Sequence, residues 1–194
     1  MMEIKGKLFD DLEFGVVYYL HYKINGGRLI FGTAKDYQVF LTEMKDRLLP
    51  IADIYAYSLL PSAFQFLLCF KSKNEIHQQL DLPETEYSLQ TMNNFLMKHC
   101  SDWLKSFVEK TQKEFSLPME IVRRTRVEEE TDLLEILKQI HLKPIQNALV
   151  KHAEDWKYSS YVGYLNLDKP SSLNRNFMLS FFPSQQEFLD FHKQ

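Results

Sequence analysis

Apolar positions along the chain follow two rhythms, and the switches between them mark out the elements. Phe14 to Ile24 is rich in Val, Tyr and Leu and ends at Asn25-Gly26-Gly27, which predicts a strand followed by a turn. Thr33-Ala34-Lys35-Asp36 has the form of a capping box. Behind it Tyr37, Phe40, Leu41, Met44 and Leu48 recur at helical spacing, and Pro50 marks the stop. Ile51 to Tyr57 reads as a second strand, Leu59-Leu60-Pro61-Ser62 as a turn, and Ala63 to Lys71 as a third strand. The polar stretch 72–86 reads as a loop. Tyr87 to Lys110 suits a long helix with Met92, Phe95, Leu96, Trp103, Leu104 and Phe107 on its apolar face. Met119 to Val127 reads as extended. Glu128-Glu129-Glu130 then opens a helix whose core stripe is Leu133, Leu134, Leu137, Ile140 and His141, because acidic residues suit the positive end of the helix dipole. Pro144 fits the first turn of a following short helix. Ser184-Gln185-Gln186-Glu187 predicts a second capping box, opening a C-terminal helix with Phe188, Leu189 and Phe191.

Strand, helix, strand, strand, helix, strand, helix is the order of an α+β fold. It predicts a ferredoxin-like split βαβ antiparallel sheet with helices on one face and extra C-terminal helices. A rearranged α+β sheet is the alternative. A chain of 194 residues with 15 Phe and 10 Tyr can bury a sizeable core. Its formal charge of −3 supplies no global basic field, so any contact with nucleic acid needs a local patch. The longest uninterrupted apolar run, Phe66 to Phe70, is too short to span a membrane. Met1-Met2-Glu3-Ile4-Lys5 lacks a signal-peptide core, so the expected compartment is the cytoplasm, with no membrane partner.

Candidate chemistry is sparse. Cys69 and Cys100 form no metal or disulfide pattern; Cys69 reads as a small core residue, and a bridge between the two stays open. The six histidines, His21, His77, His99, His141, His152 and His192, form no HxH or HExxH pattern. His141 lies on the apolar side of its helix and reads as a hydrogen-bonded core residue, and His21 as a packing residue beside Tyr19 and Tyr22. No GxSxG, P-loop or GxGxxG motif is present. The densest basic stretch is Arg123-Arg124-Thr125-Arg126, with Lys110 and Lys113 upstream. Strand alternation places Arg124 and Arg126 on one face and Arg123 on the other. Phosphate contact competes there with charge pairing to Glu128, Glu129 and Glu130. Lys23 and Arg28 flank the Asn25-Gly26-Gly27 turn. Tyr18, Tyr19, Tyr22, Tyr55 and Tyr57 are expected in the core rather than as base-stacking surfaces. Trp156, Tyr158 and Tyr161 are expected to pin the C-terminal segment to the domain.

Three separated blocks carry a resemblance. Tyr55 to Leu68 is similar to a metal-binding strand that normally runs from Leu-Pro-Asn to His-hydrophobic-His. Ile140-His141-Leu142-Lys143-Pro144-Ile145 is close to an Ile-His-x-Asn-Pro-Val pattern. Asp155-Trp156-Lys157-Tyr158-Ser159-Ser160-Tyr161 looks like an Asp-Trp-x-Trp-Ser-Ser-Tyr segment. Together they resemble the single-tyrosine HUH transposases, especially the REP-associated type. The resemblance implies residues 1–165 as a transposase-like domain and residues 166–194 as a C-terminal helical extension packed on it. In that family two strand histidines and an Asn or Gln from a helix hold a divalent metal such as Mg, and a tyrosine on the same helix attacks the phosphate. Here the histidine positions are Ala63 and Gln65, the tyrosine position is Gln139, and the third ligand position is Lys143.

These replacements lead to the expectation of a degenerate, catalytically inactive transposase-like protein with no metal and no cofactor. Its expected partner is single-stranded or hairpin DNA, contacted by Arg123, Arg124, Arg126, Lys143 and Lys23. Lys143 reads either as a phosphate contact in an emptied metal slot or as a solvated lysine at a helix end. A homodimer is left open. The alternative is a transposase-derived scaffold reused for protein or ligand interaction without nucleic acid. A third reading is an active nuclease with rearranged ligands.

Overall fold

A computed structural model describes residues 8–193; the N-terminal pentapeptide read above for a signal lies outside them. Four strands form one sheet: β1 (Val17–Lys23), β2 (Ala52–Leu60), β3 (Ala63–Phe70) and β4 (Arg123–Arg126). Their order is β2-β3-β1-β4, and every neighbouring pair is antiparallel. This is the α+β split βαβ arrangement expected: β3 is inserted between β1 and β2. The register is set by alternation. Leu20 pairs with Phe66 and with Arg124, and His21 pairs with Gln65 and with Arg123. A bulge at Tyr55 interrupts β2 between Ile54 and Ala56.

Both faces of the sheet are covered. On one lie α1 (Ala34–Glu43), prolonged by a π-helical turn over Met44–Leu48, and α3 (Leu89–Thr111). Phe64, Phe66, Leu68 and Phe70 point into this layer against Phe40, Trp103 and Phe107. The rings of Phe40 and Trp103 lie 4.9 Å apart, and those of Phe66 and Trp103 meet edge to face at 5.4 Å. The helices the α+β reading puts on one face are therefore α1 and α3. The other face is taken by α4 (Glu130–Gln146) and the extra C-terminal helices α5 (Tyr161–Leu165), α6 (Arg175–Leu179) and α7 (Gln185–Phe191). There Ala56 and Leu67 meet Leu137, Ile140, Tyr164 and Phe188.

Local chemistry explains the boundaries, including those the pattern misplaced. The Thr33–Asp36 capping box forms in full. At Ser184 half of the expected box forms: Ser184 accepts from the Glu187 amide. The stretch 72–86 is not all loop. It contains α2 (Lys73–Leu80), opened by a complete capping box of Ser72 and Glu75 and closed by Asp81 in the left-handed region. It is a polar helix that buries Ile76 and His77, so apolar periodicity could not announce it. Pro144 does not start a new helix. It sits in the last turn of α4, which runs through it to Gln146. Met119–Val127 splits into a 3-10 turn at Met119–Ile121 and the short β4. Gly26 and Gly27 take φ of 74° and 73°, the left-handed conformation that the turn after β1 needs. Cys69 is half-buried, Cys100 is buried, and both are free thiols.

Neither edge of the sheet is bare. Along β4, Leu8 to Asp10 run beside Arg124, with the Asp10 amide donating to the Arg124 carbonyl and the Arg124 amide to that of Leu8. Along β2, the Leu59 amide donates to Tyr158 and the Ser160 amide to Tyr57, and the Asn174 amide donates to Ile54. Trp156 secures this strap: its indole N–H donates to the Leu59 carbonyl at 2.9 Å, and its ring meets Tyr37, which stacks on Tyr158 at 3.7 Å. Trp156→Ala removes a half-buried ring and its hydrogen bond. The expected cost is about 2 kcal/mol, a fall in Tm of roughly 4–8 °C by calorimetry. An unchanged Tm would contradict the role of Trp156 as the clamp.

Candidate nucleic-acid interface

Strand alternation and the landing of α4 create one cleft on the second face of the sheet. Pairing β1 with β3 sets His21 beside Gln65 and Lys23 beside Ala63, all on the α4 side. The last turn of α4 brings Lys143 and Asn147 over them. The result is a cleft of about 500 Å³ lined by His21, Lys23, Ser62, Ala63, Gln65 and Lys143, among others. Ala63, Gln65 and Lys143, three of the four positions singled out by the resemblance, thus converge. Gln139 lies one turn before Lys143 on α4, half-buried and outside the cleft lining.

The charges here are of one sign. Burial pushes the His21 imidazole down to about 4, and the nearby charges of Arg123, Lys143 and Lys23 press in the same direction. His21 is therefore neutral at neutral pH, ringed by three cations. Among the described residues, none of those three cations forms an ion pair with a carboxylate. Among the described residues, Lys143 Nζ donates only to the side-chain Oε1 of Gln146, at a long 3.5 Å. Gln65 is 3% exposed, and its Oε1 has no hydrogen-bond partner.

The arginine stretch does not act as one surface. Arg123 is exposed on the cleft side. Arg124 faces the other way and is buried. Its Nη1 donates to the carbonyls of Met119 at 2.9 Å and Val122 at 3.0 Å, its Nε donates to Asp10 O at 3.2 Å, and Phe9 covers it at 5.5 Å. Arg126 pairs with Glu13 and, at 3.8 Å, with Glu128. Lys110 and Lys113 are also engaged, with the buried Glu43 and with Asp36. Of the five residues expected to contact nucleic acid, the fold sets Lys23, Lys143 and Arg123 on the cleft side, buries Arg124 and engages the half-buried Arg126 with Glu13 and Glu128. His21 and Asn147 were missed as cleft residues. The i, i+2 spacing of His21 and Lys23 was the available signal.

A buried hydrogen-bond chain fixes α4, and with it Lys143, to the sheet. Ser160 Oγ accepts from the Tyr57 amide at 2.9 Å and lies 2.8 Å from His141 Nε2. His141 Nδ1 lies 2.9 Å from His192 Nε2, and His192 Nδ1 lies 2.8 Å from the Phe188 carbonyl. A carbonyl only accepts, so His192 carries its proton on Nδ1. His192 Nε2 then accepts from His141 Nδ1–H, and His141 Nε2 accepts from the Ser160 hydroxyl. Every proton runs one way, and both imidazoles are neutral. Burial lowers both: His141 falls well below its ordinary value, with the His192 charge adding to the effect. His192 drops to about 4 despite the opposing Phe188 carbonyl.

In known structures this fold is similar to a REP-associated tyrosine transposase solved bound to a REP hairpin. The TM-score is 0.55 and the identity 13%, over 89% of this chain and 90% of that one. The transposase-like fold rests on this likeness. No protein-family model matches the chain, and no curated protein does. Among the described residues, no helix is long and apolar enough to cross a membrane.

The histidine chain has a pH consequence. His141, His192 and His21 bind protons more weakly folded than unfolded, so the unfolded chain takes up more protons as pH falls below about 6.5. Their contribution to stability is intact above that pH and is lost progressively towards about pH 4. Urea midpoints measured from pH 8 to pH 4 should fall across this window. Ser160→Ala strands the His141 Nε2 acceptor and the Tyr57 amide, and should lower stability by about 1–3 kcal/mol at pH 7.5.

Proposed function

We propose that this protein is a transposase-like scaffold that binds single-stranded or hairpin DNA and does not cut it by a metal- and tyrosine-dependent route. The observation that carries this reading is the cleft lined by Lys23 and Lys143 beside a neutral His21, with Arg123 opposite that imidazole on the neighbouring strand. A polyanion gains there from cations that have no carboxylate partner among the described residues. The similar transposase structure holds a hairpin, which fits a nucleic-acid ligand.

The donor set argues against the family's metal. Ala63 supplies no ligand atom, Gln65 supplies one neutral amide oxygen, and Lys143 supplies a positive charge. Hard divalent cations take several oxygen ligands, carboxylates foremost. At Gln139 an amide replaces the hydroxyl that would attack phosphorus.

A second reading has its own support. With Arg124 buried, Arg126 paired with carboxylates and a net charge of −3, the scaffold is less basic than its arginine stretch suggests. That favours reuse for protein contact.

Fluorescence anisotropy with labelled hairpin and single-stranded DNA separates the two. Three phosphate contacts predict a log–log salt slope of roughly −2.1 to −2.7, a loss of about 18- to 42-fold between about 50 and 200 mM salt. Magnesium should leave binding unchanged, and denaturing gels should show no covalent protein–DNA adduct. Absence of binding at low salt would favour the protein-contact reading. A magnesium-dependent adduct would overturn the non-cleaving one.

A further inference from the structure

In the transposase resemblance, one position of the cleft belongs to a metal ligand; here it holds a lysine, and its surroundings suggest more than loss. We infer that the ammonium of Lys143 stands in for the cation, and that the cleft is a metal-independent phosphate site. In it Lys143, Lys23 and Arg123 face the phosphate oxygens and the Gln65 amide makes a further hydrogen bond. This rests on the nucleic-acid reading for its source of phosphate, but the site itself is defined by the anion.

Three observations meet here. First, the three cations come from separate elements, the ends of β1 and α4 and the start of β4, yet all act on the same imidazole. Lys23 and Lys143 line the cleft together with His21, and Arg123 stands opposite His21 on the neighbouring strand. The C-terminal end of α4 carries negative partial charge, which accounts for one cation beside it and not for three. Second, Lys143 makes no ion pair among the described residues, and its single contact is long. Third, Gln65 lies at the cleft wall, 3% exposed, with an amide oxygen that nothing satisfies. A buried amide without a partner is costly, and native interiors rarely keep one. The side-chain amide presents either end by rotating about its last bond, so a phosphate oxygen would receive its N–H₂. His21 completes the wall as a neutral group, which adds no repulsion for the lysines and offers a ring nitrogen as donor. A phosphate bound here meets the ammonium groups of Lys23 and Lys143 and the hydrogen-bonding groups of Gln65 and His21.

The experiment compares wild type, Lys143→Gln, Lys143→Arg and Lys23→Gln, with Lys105→Gln on the remote α3 as control, all in EDTA. Labelled hairpin DNA is read by anisotropy, and inorganic pyrophosphate by calorimetry. Loss of one phosphate contact weakens hairpin binding roughly five- to eightfold at about 0.1 M salt and reduces the salt slope by about 0.7–0.9. That loss is expected for Lys143→Gln and Lys23→Gln, with Lys143→Arg and Lys105→Gln near wild type. Pyrophosphate should bind wild type and lose affinity in Lys143→Gln. If Lys143→Gln does not fold, Lys23→Gln carries the same comparison. Unchanged affinity and slope in folded Lys143→Gln overturns the site while leaving DNA binding intact. Tight binding only when magnesium is added also overturns it. Pyrophosphate binding that depends on Lys143, without any DNA binding, supports the site and removes the nucleic-acid reading.

Discussion

Burial of β3 on both faces is the constraint on which the rest of the structure depends. The strand has a neighbour on either side and a helical layer above and below. Each of its side chains is therefore committed to one of two interiors. Phe64, Phe66, Leu68 and Phe70 fill the layer with α1 and α3. Leu67 joins the layer with α4 and the C-terminal helices, and Gln65 shares its face. Because side chains alternate with a period of two, a slip of one residue would put four large apolar groups on the face where Ala63, Gln65, Leu67 and Cys69 now stand. The aromatic wall around Trp103 fixes the register, and the register fixes which residues face α4.

The cleft follows from that commitment. Ala63 is too small to fill the space below the end of α4, and Gln65 is polar where its neighbour Leu67 is apolar. The helix above is positioned independently, by the buried chain from Tyr57 through Ser160 and His141 to His192. Lys143 is six-tenths of a turn beyond His141 on the same helix, so anchoring the imidazole places the ammonium. The rigid parts of the site are thus neutral hydrogen bonds, and the charged parts hang from them.

Legibility in the sequence tracked how local each determinant was. The strand over Ala63 to Lys71 and the Thr33 capping box are read from neighbours in the chain, and both appear where expected. Helix α2 was missed because Ile76 and Leu80 are too few to make a stripe, although Ser72 and Glu75 signalled its start. Pro144 looked like a boundary because a proline removes a helical hydrogen bond; packing of Ile140 and His141 into the second core holds the helix straight through it. For Arg124 the alternation identified its face correctly. Which face is solvent depends on residues 8–10 and 119–122 closing over it, and no string of arginines records that. His141 and His192 are 51 positions apart, and only the tertiary fold brings them together.

The closed edges of the sheet carry a consequence for company. Open strands recruit other strands, and proteins that leave them open risk polymerising through their backbones. Here Leu8–Asp10 and the strap over 156–174 already occupy those positions. Another chain could join the sheet only by displacing a segment that Trp156 and Arg124 hold in place. A second copy that leaves those segments in place would keep each sheet, and each cleft, whole.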